Sequence, residues 1–501
     1  MRNKLSIFTS RLAKLFPFKR ARRSISKFIK QFALGRYLLD ILSNREILKR
    51  FAFTIFIVFL YRLLSGVPLP GIDMHVYQQQ FGNSTTSETS YFLTVLTGGR
   101  LETPSIVGLG IGVYITASII IQLLSSVIPK LEELSKEGAR GRQVLDQYTR
   151  YLTIPLAILY SVGYLVLLSQ QNLGSDPASP IYLIARDASG GISLTKIIFM
   201  TMILSAGSML LMWLAELITE QGIGNGSSII IMIGILSSLP ALLAQDLGQI
   251  DFNTAIQGAL SGNLSYLTDP SLLAIYLLIA GALILIAGVI FMTESTRKVT
   301  IQYARRERGA GAVTDSFLPV KLNQSGVLPI IFASSMLTVP QLIVPALAKI
   351  TDPATPFGQF ITTLQTSPVF VSTSVQHSIV FFILIIVFSL FYAFIALKPD
   401  EVSENLQKSG AFIPGIRPGK STAEYITKVL LRLTVVGAIF LGFIALVPLL
   451  AGASLQNLTG QRFVLFSGIG GTSILIIVGV ILETVRQIDS LRATQNYERY
   501  L

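Results

Sequence analysis

The sequence predicts an all-α polytopic membrane protein with ten transmembrane helices. Three observations support this prediction: the composition, ten long apolar stretches, and the distribution of charge between the stretches. Of the 501 residues, 51% are hydrophobic and 13% are charged, and the mean hydropathy is +0.62. Soluble domains carry about a quarter charged residues. A soluble enzyme and a disordered chain both disagree with this composition.

Each of the ten stretches is long and apolar enough to cross a bilayer about 30 Å thick, which takes about 20 helical residues. The predicted spans are 51–66, 109–128, 151–170, 195–216, 226–244, 271–292, 327–347, 377–397, 429–450 and 466–485. Prolines within the fifth, seventh and ninth spans are tolerated where neighbouring helices satisfy the freed carbonyls. Because the number of spans is even, both termini are expected on one side.

Charge alternates between the connecting segments. Of the 40 Lys and Arg residues, 34 lie on the side of the termini, five lie on the other side, and Arg62 lies near the end of the first span. The positive-inside rule assigns the basic side to the cytoplasm. We therefore expect a multi-pass membrane protein with both termini in the cytoplasm.

The excess positive charge is concentrated in an N-terminal arm, residues 1–50, which holds fourteen basic and two acidic residues. Segment 5–36 mixes apolar with basic side chains, which is typical of an amphipathic helix lying on anionic lipid. A solvated, disordered basic tail is the alternative. The rest of the chain is nearly neutral, so the net charge of +13 does not indicate specific DNA binding.

Several kinds of chemistry are excluded by residue type. The chain has no cysteine and two histidines, which excludes disulfides, thiolate nucleophiles and zinc fingers. No catalytic, metal or cofactor site is predicted, and the protein is not expected to be an enzyme. The middles of the spans hold almost no ionisable side chains, which disfavours an ion-coupled carrier. A ten-span secondary transporter for a small solute remains the alternative from another functional class.

Two long loops on the basic side have internal structure. Loop 293–326 has alternating β-type residues before the charged segment "ARRER" and a second short extended piece, "FLPVKL", after a Gly-containing turn, which predicts a protruding hairpin. Loop 398–428 combines a helix-forming start with a Gly/Pro-rich turn around Arg417. Such defined loops are typical of docking surfaces. The C-terminal tail, 486–501, lies on the same side.

Six blocks of the sequence resemble the SecY family, the channel subunits of protein translocases. The resemblance runs from residue 67 to the end of the tenth span. The blocks are "YITASIIIQLL" (114–124), "EGARGRQVLDQYTRYLT" (137–153), "ITEQGIGNGSSIII" (218–231), "LPVKLNQSGVLPIIFASS" (318–335), "ENLQKSGAFIPGIRPGKSTAEYI" (404–426) and "GGTSILIIVGVILE" (470–483).

The resemblance implies two pseudo-symmetric five-helix halves, 51–244 and 245–485, around a central pore. It places a pore ring at Ile111, Ile115, Ser227, Ile231, Ile331 and Ile476. Ser227 departs from the isoleucine that is typical at its position. A plug is expected at about 92–103, with Phe92, Leu93, Leu96, Gly98, Gly99, Arg100 and Leu101.

The implied activity is passage of unfolded preproteins across the membrane, with release of signal sequences and membrane helices through a lateral gate. That gate would lie between the second and third spans and the seventh and eighth spans. Implied partners are SecE and SecG-like small subunits, and a SecA motor or a ribosome. These last would dock at Arg297, Lys298, Arg305, Arg306, Arg308, Arg417 and Lys420. An accessory SecY paralogue for dedicated substrates is a second alternative.

Overall fold

The structure is a computed structural model. It describes residues 44–72, 104–170, 193–248, 270–303, 316–324, 326–352, 354–370, 374–459 and 471–498. The arm up to residue 43, the predicted plug and the hairpin tip 304–315 lie outside the described residues.

The described residues form a mostly helical bundle with one small sheet. The helices before the sheet are α1 (Arg45–Ser65), α2 (Gly112–Val127), α3 (Pro129–Lys136), α4 (Ala139–Gln170), α5 (Leu194–Gln221), α6 (Gly226–Gly248) and α7 (Pro270–Glu294). The strands are β1 (Thr296–Tyr303), β2 (Ser316–Lys321) and β3 (Ala411–Phe412). The remaining helices are α8 (Leu328–Ile350), α9 (Pro356–Gln365), α10 (Val375–Leu397), α11 (Pro399–Lys408), α12 (Lys420–Thr459) and α13 (Gly471–Glu498).

Each of the ten predicted spans falls largely within one helix of this series. Among the described residues, five helices are long and apolar enough to cross a membrane, and six if α2 and α3 count as one bent span. The bundle is therefore that of a multi-pass membrane protein. That ten helices cross the bilayer stays a prediction.

Local sequence explains several helix ends. The Asn44 side chain accepts a hydrogen bond from the backbone N–H of Glu46 and caps α1, so this helix includes the last residues of the predicted arm. Ser374 caps α10 by accepting from the backbone N–H of His377. Between α2 and α3 the axis turns by 101° at Ile128. A residue before proline avoids the helical region, and Pro129 follows Ile128.

We call α1–α6 the first helix group and α7–α13 the second; the two groups contact each other along two seams. At the first seam α8 packs against α2 and α4. At the second seam α6 packs against α13. A buried apolar cluster, described below, draws side chains from helices of both seams.

The sheet has the strand order β2-β1-β3, and all of its pairings are antiparallel. The β1–β2 pair confirms the predicted hairpin, with Thr296 opposite Lys321. Val299 and Val320 are buried against the neighbouring ends of α10 and α12. The all-α prediction therefore omitted a sheet, although the hairpin itself was expected. The short strand β3 and the helices α3 and α9 were not predicted.

Candidate functional site

Five isoleucines from four helices belong to one large buried apolar cluster. Ile111 and Ile115 lie at the start of α2, Ile231 lies on α6, Ile331 on α8 and Ile476 on α13. Each side chain is at most 9% exposed. The first seam contributes Ile111, Ile115 and Ile331, and the second contributes Ile231 and Ile476. The structure thus brings together five of the six residues to which the sequence assigned a pore ring.

A cavity of about 330 Å³ opens beside this cluster. Its apolar part is lined by Ile115, Ile231 and Ile331, and its other part by charged and amide side chains. The cavity therefore passes from a polar region to an apolar one within a short distance. Such a gradient lets water fill one part of a funnel while the isoleucine cluster excludes it.

The sixth predicted ring residue, Ser227, also lines the cavity, and it is hydrogen-bonded to Asn225 at the start of α6. Its hydroxyl donates to Asn225 Oδ1 at 2.6 Å. The same Asn225 oxygen accepts from the backbone N–H groups of Ser227 and Ser228, at 3.1 and 3.3 Å. Asn225 thereby caps the start of α6. Ser227 precedes Ile231 by four residues and so lies one turn nearer the polar part of the cavity.

An ion pair between α4 and α5 lies at the charged part of the cavity. Arg150 Nε donates to Glu216 Oε1 at 2.9 Å. Arg150 lies just before the third predicted span, 151–170, and Glu216 ends the fourth, 195–216; no sequence pattern pairs them. The two positions are 66 residues apart, so local spacing gave no signal.

Small hydroxyl side chains lie on the helices that form the first seam. Thr116 on α2 and Tyr160 on α4 are joined through their hydroxyls at 3.3 Å. On α8, Ser334 and Thr338 donate to carbonyls of their own helix. Serine and threonine that bond within their own helix permit close packing without cross-linking it to its neighbour.

The predicted docking residues that the structure describes are exposed at one end of the bundle. Arg297 and Lys298 lie on β1, and Arg417 and Lys420 lie in and just after the turn that precedes α12. The ammonium of Lys298 lies 4.7 Å from the centre of the Phe317 ring on β2. Arg305, Arg306 and Arg308 lie outside the described residues.

Polar contacts fix the base of the hairpin to α13. Arg486 donates through Nη2 to Glu294 Oε1 at 2.8 Å and to the Thr293 carbonyl at 3.0 Å, at the C-terminal end of α7. Lys321, at the end of β2, is half-buried nearby. Its burial, reinforced by the positive charge of Arg486, lowers the pKa of the Lys321 ammonium. The hairpin therefore projects from a fixed base.

Comparison with known proteins identifies the family. The SecY family model matches residues 105–485, which is most of the chain. The chain belongs to the SecY family. It is 39% identical over 460 residues to a protein translocase subunit SecY of Streptomyces scabiei, covering 91% of this chain and 97% of that protein. It is 36% identical over 471 residues to the subunit of Mycobacterium tuberculosis strain H37Rv, with the same two coverages.

Solved structures share the SecY fold at low sequence identity. One, titled as the structure of a protein conducting channel, has a TM-score of 0.58 and 19% identity over 88% of this chain and 91% of that chain. Another, Sec61 in the canine ribosome–channel complex, has a TM-score of 0.54 and 18% identity over the same shares. Neither a small-solute transporter nor an accessory paralogue is favoured by these relatives.

Proposed function

We propose that this protein is the channel subunit of a protein translocase, which passes unfolded preproteins across a membrane and releases membrane helices sideways into the lipid. One observation carries the proposal. Ile115, Ile231 and Ile331, from three separate helices, line one cavity together with charged and amide side chains, and Ile111 and Ile476 belong to the same buried cluster. The protein has no enzymatic step of its own, so energy comes from a partner.

The physical argument concerns the isoleucine cluster. A narrow apolar constriction excludes ions and water because it offers them no polar partner. It also forms no directional bonds with a passing chain, so it tolerates any sequence. These two properties suit a conduit that must seal at rest and remain indifferent to the identity of its substrate.

We place the pore ring at Ile111, Ile115, Ile231, Ile331 and Ile476, with Ser227 at its polar rim. The hydroxyl of Ser227 is bonded to Asn225 and lines the cavity one turn from Ile231. The apolar collar is therefore one turn shorter at α6 than an isoleucine at residue 227 would make it. The segment 92–103, outside the described residues, is proposed as the plug.

The lateral gate is proposed at the first seam, between α2 and α4 on one side and α8 and α10 on the other; α8 packs directly on α2 and α4, and α10 packs on α8. The two halves of the channel would then be 51–244 and 245–485. Small hydroxyl side chains at this seam support the assignment, because Thr116, Ser334 and Thr338 allow close contact without bulk.

We propose that the exposed basic side chains on β1 and in the turn before α12 receive a ribosome or a SecA motor on the cytoplasmic side. The canine relative was solved in a ribosome–channel complex. Arginine and lysine can pair with RNA phosphates or with acidic protein surfaces, so charge alone does not choose between these partners. SecE and SecG-like subunits complete the proposed assembly.

The same orientation places both termini in the cytoplasm or the stroma, with the basic arm 1–50 against anionic lipid. The host membrane is proposed to be a bacterial inner membrane or a thylakoid membrane. The bias of 34 basic residues towards the side of the termini supports this orientation.

Reconstitution tests the function directly. The full chain is placed in liposomes with SecE-like and SecG-like subunits, and a SecA motor, ATP and a preprotein are added. We expect ATP-dependent protection of the preprotein from external protease. The absence of protection with these partners would contradict the proposal. Liposomes without the chain provide the baseline.

Replacement of Arg417 by Glu tests the docking surface. Arg417 is exposed in the turn between β3 and α12, so its reversal should leave the fold intact. Charge reversal at an electrostatic contact should lower motor-driven or ribosome-driven translocation by about tenfold. The matched control is Lys196→Glu, which also reverses a positive charge. It lies at an exposed site at the start of α5, at the opposite end of the bundle. Equal translocation by both variants would remove the assignment of Arg417.

A further inference from the structure

The turn between α5 and α6, residues 222–226, is held by side chains from three different helices. The backbone N–H of Ile223 donates to Thr54 Oγ1 of α1 at 3.0 Å. The N–H of Gly224 donates to Gln487 Oε1 of α13. The N–H of Gly226 donates to Thr219 Oγ1 of α5 at 2.9 Å. Side chains of α1, α5 and α13 thus each accept a hydrogen bond from the backbone of this five-residue turn.

Apolar packing reinforces these bonds. The Ile223 side chain is 2% exposed and forms a separate buried cluster with Ile47 of α1 and Ile488 of α13. Gly224 has a φ of +87°, and a Cβ there would lie 2.7 Å from Ile229 Cδ1. Its left-handed conformation brings the turn close to α13 and is one that other residues rarely adopt.

The turn ties both sides of the second seam together. Thr54 belongs to the first helix group, and its hydroxyl also donates to the Arg50 carbonyl at 3.0 Å, which fixes its orientation. Gln487 belongs to the second group. Ile231 of the isoleucine cluster lies on α6, which begins at the turn. Ile476 of the same cluster lies on α13, which contacts the turn through Gln487.

From these contacts we infer that Thr54 and Gln487 are positioning residues. Their hydrogen bonds to the 222–226 turn keep α6 packed on α13 while the first seam opens. We call the turn together with these two acceptors the clasp. The inference rests on the proposed function, because it assigns the moving seam and the fixed seam of the channel. The clasp acts on the pore only indirectly, by keeping Ile231 and Ile476 in register.

Isosteric substitutions test the hydrogen bonds of the clasp. Thr54→Val and Gln487→Met keep approximate size but remove the acceptor atoms. We expect both variants to raise ion leak from proteoliposomes and to accept preproteins with defective signal sequences. A typical lost hydrogen bond corresponds to a shift of about fivefold to tenfold in such an equilibrium. Thr54→Ser and Gln487→Glu keep an acceptor and should restore the wild-type leak and stringency.

The matched control is Thr153→Val on α4. The Thr153 side chain is buried and its hydroxyl donates to the Thr149 carbonyl of its own helix, so the substitution removes a hydrogen bond that the turn does not use. Wild-type leak and stringency in Thr54→Val and Gln487→Met would overturn the inference. So would an equal effect of Thr153→Val, because the effect would then not depend on the clasp.

Cross-linking tests whether the clasp stays closed during work. The chain has no native cysteine, so Ile223→Cys and Ile488→Cys can be combined in the full protein without competing thiols. The oxidised protein should translocate preprotein as well as its reduced form. A block that is relieved by reductant would show that this seam must open and would overturn the inference.

Disulfide formation by the same pair, measured in detergent, is independent of translocation. It should slow when Thr54→Val and Gln487→Met are added, and unchanged oxidation would contradict the clasp. If the wild-type chain moves no preprotein with its partners, the proposed function fails, while this oxidation assay still tests the clasp.

Discussion

Two adjacent isoleucines on α8 have the same chemistry but different surroundings. Ile330 is fully buried and Ile331 is 6% exposed. Ile331 lines the cavity, whereas the side chain of Ile330 is packed among the helices. Polar substitutions at these two positions therefore distinguish the effect of a polar side chain in the packed core from its effect in the proposed constriction.

We predict that Ile331→Asn raises ion leak and relaxes signal-sequence stringency, because an amide at the constriction gives water a partner. Ile330→Asn should instead lower the stability of the protein by about 1–3 kcal/mol through an unsatisfied buried amide, without raising leak in the folded fraction. Leak from proteoliposomes and thermal unfolding in detergent measure the two effects. Equal leak in both variants would count against the ring assignment.

Among single residues, the sequence predicts those positions that a local spacing or a family motif identifies. Ile111 and Ile115 are four residues apart, and their common helix face is confirmed by their shared cluster. The partners of the 222–226 turn could not be predicted. Thr54 is 169 residues from Ile223, and Gln487 is 263 residues from Gly224. No periodicity links positions so distant.

Among the elements, the hairpin depends on a close approach to α12. A Cβ at Gly437 would lie 2.6 Å from the Leu322 carbonyl oxygen, just after β2. Together with the Arg486–Glu294 pair, this contact holds the base of the hairpin on the bundle.

We predict that Gly437→Ala destabilises the protein by about 1–3 kcal/mol, because the added methyl group must displace backbone. It should also increase proteolysis of the hairpin. Gly288→Ala, on α7, is the matched control, since its Cβ would meet Phe440 Cζ at an ordinary 3.5 Å. Thermal unfolding and limited proteolysis measure both effects, and identical behaviour of the two variants would exclude this role of Gly437.

Strand and helix signals explain which elements the sequence predicts. Strand β1 alternates polar and apolar residues from Lys298 to Tyr303, β2 is a short extended segment, and the structure confirms their pairing. Strand β3 has two residues, too few to establish a period. Its pairing with Gln302 and Tyr303 follows from how α11 and α12 place it, which is tertiary information.

For the molecule as a whole, the two seams have different construction. At the second seam, backbone N–H groups of the 222–226 turn donate to Thr54 and Gln487, and the turn is packed by the small buried cluster of Ile47, Ile223 and Ile488. At the first seam, hydroxyls of α8 bond within their own helix. A channel that opens at the first seam and pivots at the second would follow from this asymmetry. Composition and hydropathy could not predict it, because neither shows which helices contact each other.

Membrane crossing itself can be tested by single cysteines, because the natural chain has none. Gln365 and Ser409 are exposed and bracket α10, and Glu133 and Lys196 are exposed and bracket α4. If each bracketed helix crosses the bilayer once, the two members of a pair face opposite sides. We predict that a membrane-impermeant maleimide labels Glu133→Cys and Ser409→Cys only from the cytoplasmic side.

The same reagent should label Lys196→Cys and Gln365→Cys only from the opposite side. Intact cells and inverted vesicles supply the two orientations, and the unmodified chain supplies the unlabelled control. Labelling of both members of one pair from the same side would mean that the bracketed helix does not cross. The alternation of basic loops along the whole chain would then need a different topology, since one missing crossing reverses every later segment.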